Sequence, residues 1–482
     1  MQSGGECCGG RCNCGDRVLT GGRLVGFAFG TFGQNAPIGI FNMFAPYYYI
    51  YVIDLDPMLV FLGMLLSLLA FALSSPVFGV LSDNKKCGRI GKRRPFLLVG
   101  IPGLLVFMTL IWMPPQPTTL FTAVYFWVCA IGLEIFQSLL VSVYLAMMVE
   151  QSTDQSNRVK IATLQGIFSL LGTVLSILLP VILKSHVPEP GNPSWSTVSI
   201  PYFIGIMPWI GLAFGCIGFA SFLVVFLSTD EKFFQFNRNI EIPKLSVTKT
   251  FKEMIIPFKD VNYRWWLGNA FFFNMAIRYL IFILLPVMDF VIILSGSWFM
   301  IFFACLLPVA AIGYIIWVKK IKTSGLKNAY SLSLVIFVLF SAAATIFLIP
   351  IDFTLRFILG VAIVGILISA LVGGYLFPNP IISQLVDIAP EAIRKEAARS
   401  NKGIAGAYFG LYILVYNLAN AIGNIILGLI FTDQTKNNPV IITLVIPLAG
   451  VMVFVSWLLL RRLELPHQQV IQLKSNLGSL RA

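Results

Sequence analysis

Twelve long, mostly apolar stretches follow one another along the chain, at about 21–53, 57–82, 95–113, 119–149, 161–184, 200–228, 265–294, 296–318, 329–350, 354–386, 403–431 and 438–460. A helix needs about 20 apolar residues to cross a bilayer, and strands of a membrane barrel read instead as short alternating segments. These stretches are continuous and rich in Leu, Ile, Phe and Gly, so they predict helices. Composition agrees: 57% of residues are hydrophobic and 11% charged, against roughly 25% charged in soluble domains. The expected fold class is all-α, a polytopic membrane protein with twelve transmembrane helices.

A net charge of +13 in a soluble chain would point to nucleic acid. Here the placement of the 34 Lys and Arg decides its meaning. With the N-terminus in the cytoplasm, the tails and even-numbered links carry 30 of them; Lys184, Arg356 and Lys436 lie on the other side and Arg278 lies within a span. That asymmetry is the positive-inside pattern, and it makes anionic lipid, not nucleic acid, the expected partner of the basic face. The densest cluster, "FGVLSDNKKCGRIGKRRPF" at 78–96, then falls in a cytoplasmic hairpin between spans 2 and 3. Residues 1–20 lack the apolar core of a cleavable signal peptide, so the first span is expected to direct insertion.

The longest polar link, 229–264, divides the spans six and six. The expected organisation is a cytoplasmic tail (1–20), an N-terminal six-helix bundle (21–228), a cytoplasmic loop (229–264), a C-terminal six-helix bundle (265–460) and a second cytoplasmic tail (461–482). The halves echo each other. "GVLSDNKKCGRIGKRRP" after span 2 is answered by "GYIIWVKKIKTSGLKN" after span 8, with Gly313 matching Gly79 and Trp317 replacing Asp83. After spans 4 and 10, "EQSTDQSNR" (Glu150 to Arg158) is answered by "DIAPEAIRKEAAR" (Asp387 to Arg399). An acid at a helix end and an arginine beyond a short turn can tie neighbouring helices together, and repeated halves are how many carriers are built.

The stretch "GVLSDNKKCGRIGKRRP" resembles the signature between the second and third helices of the major facilitator superfamily. Its spacing before Gly-Lys-Arg-Arg-Pro is most similar to the glycoside–pentoside–hexuronide:cation symporters, the melibiose-carrier group, with plant sucrose carriers nearby. The first span, "FGTFGQNAPIGIFNMFAPYYYIYV", and the "EQSTDQSNR" turn resemble the same group. The resemblance extends over all twelve helices in layout and is specific at these three places. It implies a central cavity lined by spans 1, 4, 7 and 10, and a rocking of two halves around a bound solute. Asp83, with Gly79, Gly91, Arg93, Arg94 and Pro95, reads as a conformational latch: arginines hydrogen-bond carboxylates and carbonyls at helix ends, and an acid can face a helix N-terminus. Plain topogenic charge is the competing explanation for the cations.

The sequence also departs from that group. Its sugar- and cation-binding groups are carboxylates on helices 1, 2 and 4 and a lysine on helix 11; the matching positions here are Asn35, Phe71, Ser75, Leu140 and Asn417. This argues against sodium-coupled transport of the melibiose type.

Ionisable groups at mid-bilayer cost roughly 2.5–3.5 kcal/mol each on insertion scales and are functional candidates by default. Two sit clearly mid-span, Glu134 on span 4 and Arg278 on span 7. They are expected to face the cavity and pair, directly or through substrate. Burial disfavours the charged form of a carboxyl, so Glu134 is the candidate proton carrier; a static structural pair is the alternative. Asn35 and Asn42 share a face of span 1, Asn274 lies one turn before Arg278, and Asn417, Asn420 and Asn424 recur at helical spacing on span 11. Amides donate and accept, which suits hydroxyl-rich solutes, though interhelical hydrogen bonding uses the same residues. In "GGYLFPNPIIS", Pro378 and Pro380 flank Asn379 and predict a kink in span 10 that serves as hinge or ligand site. Tyr47, Tyr48, Tyr49 and Tyr51 close the outer end of span 1 and read as an interfacial aromatic belt.

Cys7, Cys8, Cys12 and Cys14 cluster in the N-terminal tail. They are weak candidates for a soft metal, against the reading of a tail with no metal role, because no second pair or histidine follows at zinc-site spacing. No cofactor is expected. There is no phosphate loop of the G-x-x-x-x-G-K-[ST] type, and the two histidines, His186 and His467, lie outside the spans, so neither ATP chemistry nor an intramembrane histidine site is indicated. The expected function is secondary transport of a sugar, glycoside or similar small polar solute across the plasma membrane, possible coupling being to a proton. A carrier for a drug-like or carboxylated solute, a receptor or scaffold that kept the fold, and a membrane enzyme are the rivals. No oligomeric state follows from the sequence.

Overall fold

The structure is a computed structural model that describes residues 18–85, 90–115, 119–152, 155–187, 200–229, 248, 252, 254–398 and 404–465, and its regular structure is helical. Ten of the described helices are long and apolar enough to cross a bilayer. The two remaining spans are present in altered form. The first is broken into Gly21–Ala28, Gly30–Tyr47 and a wide π-type turn, Tyr48–Val52. The third is the shorter helix Arg94–Leu110. All twelve expected spans are therefore found.

Helix starts are set by local chemistry. Asp56, Asp260 and Asn438 each accept a hydrogen bond from a backbone N–H two residues on, and so begin spans 2, 7 and 12 (Pro57–Asn84, Val261–Pro286, Pro439–Arg462). Pro57 and Pro439 occupy the first helical position, where a missing N–H costs nothing. Span 10 runs as Phe353–Leu376, breaks at Phe377, and resumes as Pro378–Asp387. The break is the kink that the two prolines predict.

The pairing of spans repeats when six is added to each number. Span 1 packs on 5 and 6, span 2 on 4, and span 3 on 4 and 6; likewise span 7 packs on 11 and 12, span 8 on 10, and span 9 on 10 and 12. Contacts 2–11, 5–8 and 1–7 then join the two sets. This is the two-bundle arrangement. Small residues let helices approach: a Cβ on Gly33 of span 1 would lie 2.3 Å from the Ser221 Cβ of span 6, and one on Gly218 would lie 3.3 Å from the Pro37 ring.

One end of the bundle, the basic end, carries the basic links; the other is the far end. At the basic end, Arg93 pairs with Asp83 at 2.7 Å and donates to the Ser82 hydroxyl at 3.1 Å, joining spans 2 and 3. Arg94 donates to the Phe226 carbonyl at 2.6 Å, joining spans 3 and 6. Asp260 accepts from the Tyr408 hydroxyl at 2.8 Å, joining spans 7 and 11. Each of these ties elements within one half. At the far end the ties cross between halves. Phe61 of span 2 meets Phe282 of span 7 with centroids 4.8 Å apart, and a Cβ on Gly428 of span 11 would lie 2.8 Å from Met58 Sδ and 3.2 Å from the Phe61 Cβ.

Gly33→Val drives a branched side chain into span 6, and overpacking of this kind costs about 1–3 kcal/mol. The detergent-solubilised variant is expected to melt several degrees below wild type, whereas Gly79→Ala, at a position with nothing within 4 Å of its Cβ, is expected to leave the melting temperature unchanged.

Candidate functional site

Span 7 places Arg278 near its middle, buried to 3% exposure. A guanidinium cannot shed its charge in a protein, so five N–H donors must find acceptors at this depth. Nε donates to the Asn424 side-chain oxygen of span 11 at 2.6 Å. Nη1 reaches the Asn42 carbonyl of span 1 at 3.3 Å and its side-chain oxygen at 3.4 Å. Arg278 thereby spans both halves. Nη2 remains buried without a hydrogen-bond partner, and so does the Asn424 amide nitrogen beside it. Two donors are thus unspent at one place.

Glu134 of span 4 faces this cluster. It is buried to 3% exposure and its charge couples to Arg278. No described residue donates a hydrogen bond to its carboxylate. The expected pairing therefore takes the form of electrostatic proximity without a direct ion-pair contact. Gln137, one turn along the same face, donates to the Gln34 carbonyl at 3.2 Å and keeps its own carbonyl oxygen buried and unpaired. Tyr416 of span 11 couples electrostatically to Arg278 while 41% of its surface stays accessible. The arrangement brings unspent donors on spans 7 and 11 and an unspent acceptor on span 4 to the contact of spans 1, 4, 7 and 11. That can hold a solute carrying both hydroxyls and an acceptor-rich or anionic group.

The asparagines divide. Asn42 joins the cluster through Arg278. The amides of Asn35, Asn274, Asn417 and Asn420 donate to carbonyls one turn back on their own helices, at 2.8, 2.7, 2.9 and 2.9 Å, which leaves their side-chain oxygens for another donor. Gly172 of span 5 presses against Asn35. Asn379 is exposed at the break in span 10, toward the basic end, and is not among the residues that contact Arg278.

Among the latch candidates, Asp83, Arg93 and Arg94 make the contacts given above, and Gly91 adopts φ +116, a conformation open to glycine. Gly79 touches nothing through its missing Cβ. Arg158 donates to the Ser152 carbonyl at 2.8 Å across the turn after span 4. Asp387 is exposed and its carbonyl accepts from Arg394 in a short hydrogen bond. The Glu150 side chain, Arg399 and the cysteines Cys7, Cys8, Cys12 and Cys14 lie outside the described residues. Among the described residues no group of three or more His, Cys, Asp or Glu is placed to hold a metal.

Two expectations need correction. The tyrosines at the end of span 1 are not an interfacial belt: Tyr47, Tyr48, Tyr49 and Tyr51 are all buried, and three of their hydroxyls donate to Asp289, the Ile111 carbonyl and the Lys436 carbonyl at 2.6, 2.6 and 2.8 Å. Tyr47 and Tyr51 reach the second half at Asp289, Phe290 and the Lys436 carbonyl, while Tyr48 and Tyr49 turn inward on Trp112 and Phe126 of the first half. Glu134 and Arg278 are also not alone within the spans. Asp289, in the wide turn Val287–Ile292 that ends span 7, forms a fully buried pair with Lys184 at 2.9 Å.

The family model described as MFS/sugar transport protein matches residues 26–464. No curated protein matches the chain. Among solved structures, the nucleoside transporter NupG is similar at a TM-score of 0.61 and 11% identity, covering 92% of this chain and 100% of that one. A bacterial homologue of the human lysosomal transporter Spinster, inward-facing and occupied, gives 0.59 and 14%, covering 91% and 94%. The xylose transporter XylE from E. coli, inward open, gives 0.56 and 12%, covering 90% and 94%. At these identities the likeness is one of fold.

Asn424→Leu strips Arg278 Nε of its acceptor and is expected to lower stability by about 1–2 kcal/mol. Asn417→Leu and Asn420→Leu remove only bonds within their own helix and are expected to change the thermal melt little, a contrast that differential scanning fluorimetry on the three purified variants reads directly.

Proposed function

The chain belongs to the MFS/sugar transport protein family, and on that premise we propose that it is a secondary carrier that moves a sugar, glycoside or similar small polar solute by alternating access. The observation that carries this reading is the mid-depth cluster of Glu134, Arg278, Asn42 and Asn424, drawn from both halves and left with unspent donors and acceptors. Intramembrane ionisable groups at a repeat interface mark solute and ion paths in carriers. Asn35, Asn274 and Asn417 extend the binding surface along spans 1, 7 and 11, and Asn379 acts at the hinge of span 10.

Charge supports the sidedness, with the basic end and both termini cytoplasmic; the plasma membrane is the bilayer proposed. The residues divide into the bundles 21–228 and 265–460, joined by the cytoplasmic loop 229–264. The ties at the far end then describe a carrier closed to the outside. The Asp83–Arg93 contact, with Arg94 on span 6, acts as a cytoplasmic latch that holds spans 2, 3 and 6 as one unit. Gly79 and Gly91 shape it, and Glu150, Arg158, Asp387 and Arg399 supply the equivalent ties after spans 4 and 10.

Glu134 carries the coupling proton. Its carboxylate has the Arg278 charge nearby and no donor bound to it, so a solute hydroxyl or a proton can occupy the acceptor sites. The unspent Arg278 Nη2 favours a second reading, a carboxylate-bearing solute held by the guanidinium.

Uptake into proteoliposomes, screened across neutral sugars and sugar acids with and without an inward proton gradient, separates these readings. A gradient should drive accumulation in wild type. Glu134→Gln is expected to abolish accumulation and keep equilibrative flux; accumulation unchanged in that variant excludes Glu134 as the proton carrier. Arg278→Lys keeps charge but loses the forked geometry, and is expected to cut flux at least tenfold for sugar acids and less for neutral sugars. Asp83→Asn is expected to reduce transport several-fold at unchanged membrane insertion, measured by surface labelling alongside uptake.

A further inference from the structure

We propose that Tyr47, Lys184 and Asp289 form a charged lock at the outer gate, which must break for the far end to open; this rests on the carrier reading. Lys184 ends span 5 and donates to the Tyr47 hydroxyl of span 1 at 3.0 Å. That hydroxyl donates to Asp289 Oδ2 at 2.6 Å, and Lys184 Nζ lies 2.9 Å from Asp289 Oδ1, an ion contact outside hydrogen-bond geometry. Both charged side chains have 0% exposure. Nζ also sits 5.4 Å from the Tyr47 ring centre and 5.4 Å from that of Phe299 on span 8. Tyr47 and Lys184 belong to the first half, Asp289 and Phe299 to the second. The halves cannot part at this end without separating them.

Three observations distinguish a gate from static glue. The backbone is irregular on both sides: the first span of each half ends in a π-type turn followed by a residue in the left-handed region, Asp54 at φ 59 and Ile293 at φ 62. A β-branched residue rarely adopts that conformation, and it persists only where surroundings impose it. Next, an apolar seal is already present at this level in Phe61, Phe282 and Phe431. A buried ion pair adds little net stability to such a seal, because desolvation offsets the attraction. What it adds is a two-state character: the pair is matched when shut and rehydrated when open, with intermediate separations disfavoured. Last, a second tether lies beside it. Lys436, in the link before span 12, contacts Asp54 at 2.5 Å and Asp433 at 3.0 Å, and its carbonyl accepts from Tyr51. Burial works against the Lys436 ammonium, but the bonds to Asp54 and Asp433 outweigh it and raise the pKa above the usual lysine value. This tether therefore stays charged across neutral pH and is lost only as pH rises through that raised value.

The test is distance measurement by pulsed electron paramagnetic resonance on the full chain in nanodiscs, with the eight native cysteines replaced. One spin-label pair, Leu120→Cys with Leu355→Cys, reports the far end, since both are exposed at the far ends of spans 4 and 10. The other, Ile90→Cys with Ile388→Cys, reports the basic end. Asp289→Asn and Lys184→Gln are expected to raise the population of long far-end distances several-fold, with basic-end distances shortening in step, and Lys184→Arg to stay near the parent. Tyr47→Phe, which removes only the bridging hydroxyl, gives an intermediate shift and serves if a charge variant does not fold. Unchanged distributions in folded variants overturn the lock, as does far-end lengthening without basic-end closure, which marks simple loosening. The distances need no solute, so absent flux in vesicles counts against the carrier reading alone.

Discussion

A guanidinium held permanently charged at mid-depth is the constraint around which the rest is organised. Arg278 cannot be neutralised, and hydrocarbon offers it no acceptor, so the fold must bring oxygens to it from other helices. Asn424 of span 11 and Asn42 of span 1 do so. The second of these bonds crosses between halves, and it reaches a backbone carbonyl as well as an amide. The two bundles are consequently tied at the depth where neither water nor lipid can satisfy the charge. The donors left over are what the proposed binding surface rests on: a buried N–H without an acceptor costs free energy that a solute oxygen would recover.

The same reasoning applies at the two ends, with opposite results. At the basic end water is near, and the pairs there, such as Arg93 with the partly exposed Asp83, join neighbours within a half. They make rigid units and do not oppose a rocking motion. At the far end the Lys184–Asp289 pair is dry and shared between halves, and Lys436 reaches across to the exposed Asp54. A rocking carrier needs both kinds of contact. Ties within a half keep six helices moving as one body, and ties across halves define which side is shut.

Much of the fold was legible because membrane helices announce themselves by length and apolarity, and because the bias of 30 basic residues to one side is a count and not a contact. The kink in span 10 was equally plain in Pro378 and Pro380, since proline acts on its own helix. The pairwise geometry was not. Asn417, Asn420 and Asn424 look alike at helical spacing, yet only Asn424 reaches Arg278 while the others bond back to Ile413 and Tyr416. Asp289 stands near the end of a span, and Lys184 reads as a charge on the outer side. Their pairing depends on a π-type turn, and no residue pattern in "VMDFVI" declares one. The four tyrosines carry the same ambiguity: aromatic residues at a span end fit a lipid interface or a protein interface equally well. A usable signal did exist in Gln137, which shares a helical face with Glu134.

The distribution of polar bonds also bears on how little energy separates the two states of such a machine. If the far-end lock were strongly stabilising, the carrier would stop in the closed form; if it were absent, the apolar seal alone would open without a defined end point. An ion pair whose Coulomb gain and desolvation cost nearly cancel sits between these limits. The Tyr47 hydroxyl shifts that balance, because it accepts from Lys184 and donates to Asp289 and so fills valences on both ions that water would otherwise claim. On the proposed reading, solute at the mid-depth cluster would act on the same balance from below. An oxygen bound at Arg278 Nη2 competes for a guanidinium that otherwise leans on Asn42, some five residues before Tyr47 on the same span. Loosening that bond frees span 1 at the depth from which it rises to the lock. On the proposed reading, binding and gating would be connected along one continuous helix, Gly30–Tyr47, which carries both Asn42 and Tyr47.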